Sequence, residues 1–196
     1  MAEVRIGRVI VASLHQAIVD VLPQRLDFYE NWLNSNGLRE GTIGLAQLLA
    51  VISFLRTEGG VYQEVVRRAG EYAADWSVSG MSPWRRRLIL AMPMWVRSRM
   101  ALAVARGQIR DAYSASKAAS KMRKQAALVD VQGSVFCTVR ETAPFPLCGY
   151  YASVIERTLK LFQVPAEAAC SHCRGLGDPA CEITVGLKTR ERSLAS

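Results

Sequence analysis

No apolar run in this sequence is long enough to span a bilayer. The longest, from Ile43 to Leu55, is interrupted by Gln47 and Ser53, which argues against a transmembrane segment. A secretory leader is not expected either. Glu3, Arg5 and Arg8 break up the N-terminus, and the apolar stretch from Val9 to Leu14 is short for a signal-peptide core. Internal repeats and low-complexity linkers are absent. So are a nicotinamide or flavin fingerprint, a phosphate-binding glycine loop, a helix-turn-helix and a convincing acid–base pair. A self-sufficient reductase is therefore disfavoured, no catalytic residue is assigned, and nucleic acid is not the expected partner.

What is present is a folded-protein composition. Half of the 196 residues are hydrophobic and 21% are charged, enough to build a substantial core. The net charge of +8 permits anionic partners, an acidic protein surface among them. A cytoplasmic location is the expectation. In that compartment thiols stay reduced, so clustered cysteines point to metal binding or redox sensing more than to structural disulfides.

Helical spacing dominates the first part of the chain. Leu14, Ile18, Val21 and Leu22 share a face before Pro23, and residues 61–76 repeat Val65, Val66, Ala69, Tyr72, Ala73 and Trp76. A connector over residues 77–83 leads to an Arg-rich segment broken at Pro93, with helix expected to about Lys124. The period then changes to two. Strands are expected over Ala127–Val131 and Ser134–Val139 around a Gln132-Gly133 turn, then over Val164–Cys173 and Cys181–Leu187, with a helix from Cys148 to Phe162 between the pairs. The predicted fold class is α+β: one domain over residues 1–196, mostly helical through 124, with an antiparallel sheet and the cysteine-rich part in 125–188.

Five cysteines fall between Cys137 and Cys181. Thiolate is a soft donor, and a closed tetrahedral zinc site takes four donors from ordered elements. Cys173 and Cys181 flank Arg-Gly-Leu-Gly-Asp-Pro-Ala, whose glycines permit a sharp reversal, and Cys148 opens a helix whose dipole favours thiolate. Those three form the candidate metal set. Cys137 is preferred as fourth ligand, because positions 170 and 173 of a regular strand point to opposite faces; Cys170, His172 and Glu141 are the reserves. Buried cysteines that simply fill a core are the competing reading.

The segments Cys148-Gly-Tyr-Tyr-Ala and Cys173-Arg-Gly-Leu-Gly-Asp-Pro-Ala-Cys181-Glu-Ile-Thr-Val resemble the vinyl-4-reductase domain family. Its members include sensor domains of aromatic-responsive bacterial activators and a bacteriochlorophyll-pathway protein. The fold is similar to TRAPP-type Golgi-tethering subunits and to a domain tied to nitric-oxide signalling. The resemblance covers about the last 60 residues. It implies a structural zinc on three cysteines, which fall on Cys148, Cys173 and Cys181, and on a carboxylate that this sequence lacks near Phe136 and Cys137. It also implies an apolar or aromatic ligand held between helices and sheet, for which Trp76, Trp84, Met92, Met94, Trp95, Phe136, Phe145 and Tyr151 are the candidate lining. The expected function is a ligand-binding sensor or carrier, signalling through a partner or as a homodimer. A tetrapyrrole-pathway accessory and a redox switch on Cys170 and Cys173 are the alternatives.

Overall fold

The computed structural model describes residues 5–123, 126–138 and 142–188. The chain opens with α1 (Arg8–Val21), where Ile10, Leu14, Ala17 and Ile18 recur at helical spacing and are buried. Pro23, which has no N–H to continue the ladder, follows its end. Two short helices come next, α2 (Leu26–Glu30) and α3 (Ser35–Glu40). The Asn34 side chain caps α3 by accepting the Gly37 N–H at 2.6 Å, and Gly41 closes it in the left-handed region at φ 69°.

The helical body continues with α4 (Leu45–Thr57), α5 (Gly60–Ser79), α6 (Pro83–Ala91) and α7 (Met94–Ala112). After α7 come β1 (Lys117–Met122), β2 (Ala126–Gln132), α8 (Gly149–Leu161), β3 (Ala166–His172) and β4 (Cys181–Leu187). Helix α5 packs between α1 and α8, while α7 and α8 pack on the sheet. Gly70 sets the α5–α8 spacing: a Cβ there would stand 2.5 Å from the Tyr150 carbonyl oxygen and 2.7 Å from Ser153 Cβ.

The sheet is antiparallel with order β1-β2-β4-β3. Burial alternates along β2 and β4, so Ala127, Val129 and Val131 face inward beside Cys181, Ile183 and Val185. Helices packed on an antiparallel sheet, with α8 crossing between strand pairs, make the fold α+β.

Two expected elements are corrected. Helix was expected to about Lys124, but it stops at Ala112 and Lys117–Met122 pairs with β2 as a strand. Its Lys, Ala and Ser residues suit a helix in isolation, and cross-strand pairing overrides that preference. The strand expected over Ser134–Val139 is replaced, in its described part, by a turn of 3₁₀ helix at Val135–Cys137. Gly133, at φ 69°, turns the chain out of the sheet there, and a Cβ on it would stand 2.4 Å from the Ala115 carbonyl oxygen. Val139, Lys124 and Glu141 lie outside the described residues.

Candidate metal centre and ligand cavity

Four separate pieces of chain bring their sulfurs together. Cys137 ends the 3₁₀ turn, Cys148 is the N-cap of α8, Cys173 follows β3, and Cys181 is the first residue of β4. Their four Sγ atoms all lie within 4.8 Å of one another. Cys137 Sγ is 3.2 Å from Cys148, 3.5 Å from Cys173 and 3.5 Å from Cys181, and Cys148 to Cys173 is 3.8 Å. A Zn–S bond of about 2.3 Å places sulfurs about 3.8 Å apart at the corners of a tetrahedron. The donor set therefore fits a tetrathiolate metal ion.

The surroundings favour negative sulfur. The Leu147 N–H donates to Cys173 Sγ at 3.3 Å, and the Arg174 N–H donates to Cys181 Sγ at 3.4 Å. The Ser134 hydroxyl stands 3.7 Å from Cys148 Sγ. A hydrogen bond from Cys148 holds the Cys137 thiol below its ordinary value, and one from Cys137 does the same for Cys173. Cys148 and Cys181, hydrogen-bonded to Cys137, are pushed up. Four thiols this close cannot all ionise without a cation among them.

A supporting ring fixes these ligands. The Arg56 guanidinium donates to the Phe136 carbonyl at 2.6 Å and to the Thr138 carbonyl at 3.4 Å, gripping the chain on both sides of Cys137. Tyr62 Oη donates to the Leu147 carbonyl at 2.9 Å, next to Cys148. The Asp178 carboxylate accepts the Cys173 N–H at 2.7 Å and shapes the Gly-Asp-Pro loop. Arg56, Tyr62 and Asp178 were not found from the sequence. Asp178 left a signal, an Asp before Pro in a glycine loop; the other two left none.

Two of the reserve ligands, Cys170 and His172, fall outside the four-sulfur group. Cys170 Sγ donates to the His172 carbonyl at 3.2 Å, and His172 Nδ1 faces Glu182 Oε1 at 3.4 Å on the surface.

The expected ligand lining is not one wall. Trp84 and Trp95 are 71% and 66% exposed and cannot enclose a ligand within this chain, and Trp76 and Met94 are also exposed. Phe136 and Tyr151 are fully buried and pack with Tyr150 as a filled aromatic cluster, ring centroids 5.0–5.5 Å apart. Phe145 packs on Tyr62, and Met92 is half-buried at the α6–α7 turn. A cavity of about 490 Å³ opens instead between the start of α1, the second half of α5, and α7. Ala73, Met81, Val104 and Tyr150 give it an apolar body, with Arg85 and Arg110 also lining it. Gln108 on its wall is oriented by Thr158, whose hydroxyl donates to Gln108 Oε1 at 2.9 Å. Gln108 Nε2 is buried with no hydrogen-bond partner among the described residues. A second hollow of about 480 Å³, lined by Met94, Arg97, Lys160 and Val164, lies between the start of α7 and the end of α8.

No protein-family model matches the chain, and none of the curated proteins does. Solved structures do match. An H-NOX protein from S. oneidensis in the Fe(II) ligation state superposes with a TM-score of 0.58 at 11% identity, over 95% of this chain and 98% of that one. A trafficking protein particle complex subunit 3 from Naegleria fowleri, covalently bound to palmitic acid, gives 0.47 at 17% identity, over 91% and 96%. The phenol-responsive sensory domain of the activator PoxR gives 0.45 at 14% identity, over 74% of each chain. The H-NOX match, at so low an identity, shows a shared fold and nothing finer.

Proposed function

We propose that residues 1–196 form one small-molecule-binding sensor domain whose cysteine-rich part is held by a structural zinc ion on Cys137, Cys148, Cys173 and Cys181. The observation that carries the metal is the mutual approach of four sulfurs within 4.8 Å. All four positions are taken by thiolate, which leaves no open coordination site and suits a structural role. When bound, the ion would offset two of the four thiolate charges, and Cys137, Cys148, Cys173 and Cys181 would tie the 3₁₀ turn, α8 and the β3–β4 connection together through it.

The α1–α5–α7 cavity is the ligand chamber in this reading. Ala73, Met81, Val104 and Tyr150 suit the apolar part of an aromatic molecule, and Arg85 and Arg110 suit a polar or anionic group on it. A ligand there touches α5 and α7, and α5 carries Tyr62, so occupancy and the metal centre share one helix. Output passes through a homodimer or a protein partner, in the reducing cytoplasm that keeps the thiols free.

Elemental analysis of the purified chain, with an absorption spectrum of the same sample, tests the metal. One zinc per chain and no visible band is the expected result. A coloured iron tetrathiolate would replace zinc, and a metal-free folded protein would remove the centre. The chamber is tested by thermal-shift screening of small aromatic compounds against the wild type and Gly107→Phe, since Gly107 lines the cavity with open space before it. A shift that survives Gly107→Phe would exclude this cavity.

A further inference from the structure

One stretch of this protein is unusual in charge and in exposure together. From Trp76 to Arg110 the sequence holds Arg85, Arg86, Arg87, Arg97, Arg99, Arg106 and Arg110 and not one Asp or Glu. Between Trp84 and Val96 every side chain is apolar or a guanidinium. Among the described residues, Arg85, Arg86, Arg87, Arg97 and Arg99 form no salt bridge.

The large apolar groups of this stretch point outward. Helix α6 buries only Ile89. Trp84, Leu88 and Ala91 recur at i, i+4 and i+7 on one face, and all three are exposed. Met94 and Trp95, 44% and 66% exposed, open the next helix just past Pro93. The surface is ordered. The Arg97 guanidinium donates twice to the Met92 carbonyl, at 3.2 and 3.0 Å, and Arg99 lies over the Trp95 ring at 5.7 Å.

We infer that the α6–α7 face docks on the surface of an anionic lipid bilayer. Indole rings and the Leu88 and Met94 side chains enter the boundary between headgroups and acyl chains, and the guanidiniums reach the lipid phosphates from the same helices. A second copy of the chain fits poorly, because a two-fold interface would set these arginines against their own copies. A nucleic-acid surface would use the guanidiniums and stack the indoles, but it gives the exposed aliphatic Leu88, Ala91 and Met94 no apolar boundary to enter, which a bilayer does. Leu88 and Met94 also have no ring to stack on a base. The inference stands independently of the sensor reading.

The test uses the intact, metal-loaded chain with phosphatidylcholine vesicles, prepared with and without phosphatidylglycerol, and measures co-sedimentation and tryptophan emission. Binding to the phosphatidylglycerol vesicles, with a blue shift, is expected. Arg86→Gln/Arg87→Gln should weaken partitioning by about 30-fold, each arginine near an anionic surface being worth about 1 kcal/mol. Trp84→Ala/Trp95→Ala should weaken it by at least about tenfold through lost apolar burial, with circular dichroism and metal content unchanged. No binding to anionic vesicles would overturn the proposal. So would a tryptophan variant that binds like the wild type, which would reduce the effect to charge alone. Tighter binding to a DNA oligonucleotide than to vesicles would overturn it in favour of another partner.

Discussion

Tyr62 and Leu147, 85 positions apart, are joined by a buried hydrogen bond of 2.9 Å from the tyrosine hydroxyl to the leucine carbonyl. The same Leu147 gives its N–H to Cys173 Sγ. One residue thus links α5 to the sulfur cluster, and its carbonyl would be left unpaired in Tyr62→Phe. That variant should lose about 1–3 kcal/mol of stability and release metal to a chelator at a lower chelator concentration. Urea denaturation and competitive chelation would measure the two effects.

Serine substitutions divide the cysteines. Cys137→Ser, Cys148→Ser, Cys173→Ser and Cys181→Ser should each lower the bound zinc and the melting temperature, whereas Cys170→Ser should leave one zinc per chain. Metal analysis of the five variants distinguishes this set from one in which Cys170 is a ligand. Chelation of the wild type should destabilise it in the same sense, because binding to the folded form alone adds to folding free energy.

Glycines at two helix positions should respond with opposite signs. Gly70→Ala drives a methyl group into the Tyr150 backbone and Ser153, and overpacking of this kind costs about 1–3 kcal/mol. Gly107→Ala meets nothing within 4 Å, and removing a mid-helix glycine should stabilise by about 0.5–1 kcal/mol. Thermal unfolding of the pair would show both shifts.

Alkaline pH should unfold the protein through its buried tyrosines. Burial raises Tyr29 from 10.0 to about 12, and burial raises Tyr62 as well. The folded state favours the neutral phenols, so this stability is fully present below pH 10 and is lost as pH climbs through the raised values. Tyr29→Phe should flatten the alkaline part of a stability–pH curve, which denaturant titrations at stepped pH would detect.

Much of the C-terminal part was legible because its signals are local. Cys181–Leu187 alternates as a strand, and α8 carries Tyr151, Val154, Ile155 and Leu159 on one face, all buried. Cys137, preferred from the sequence as fourth ligand, has its sulfur beside the other three, though on a 3₁₀ turn and not a strand. Lys117–Met122 was misread because nothing in Lys-Ala-Ala-Ser-Lys-Met announces a strand; only β2 beside it does. Arg56 and Tyr62 reach their carbonyls across 80 and 85 positions, a separation that leaves no local pattern. Trp84 and Trp95 were offered as pocket lining on the family resemblance and their aromatic character, and their neighbours, not their chemistry, decide that they face out.

The strand order has a further consequence for synthesis. Among the described residues β4 is the last strand in chain order, yet it lies between β2 and β3. A nascent chain that has not yet delivered Cys181–Leu187 has no partner to bridge β2 and β3, and it lacks the fourth sulfur. Unpaired strand edges are templates for association with other chains. A chain that has not yet delivered Cys181–Leu187 would present these edges unpaired, and insertion of β4 would close both at once.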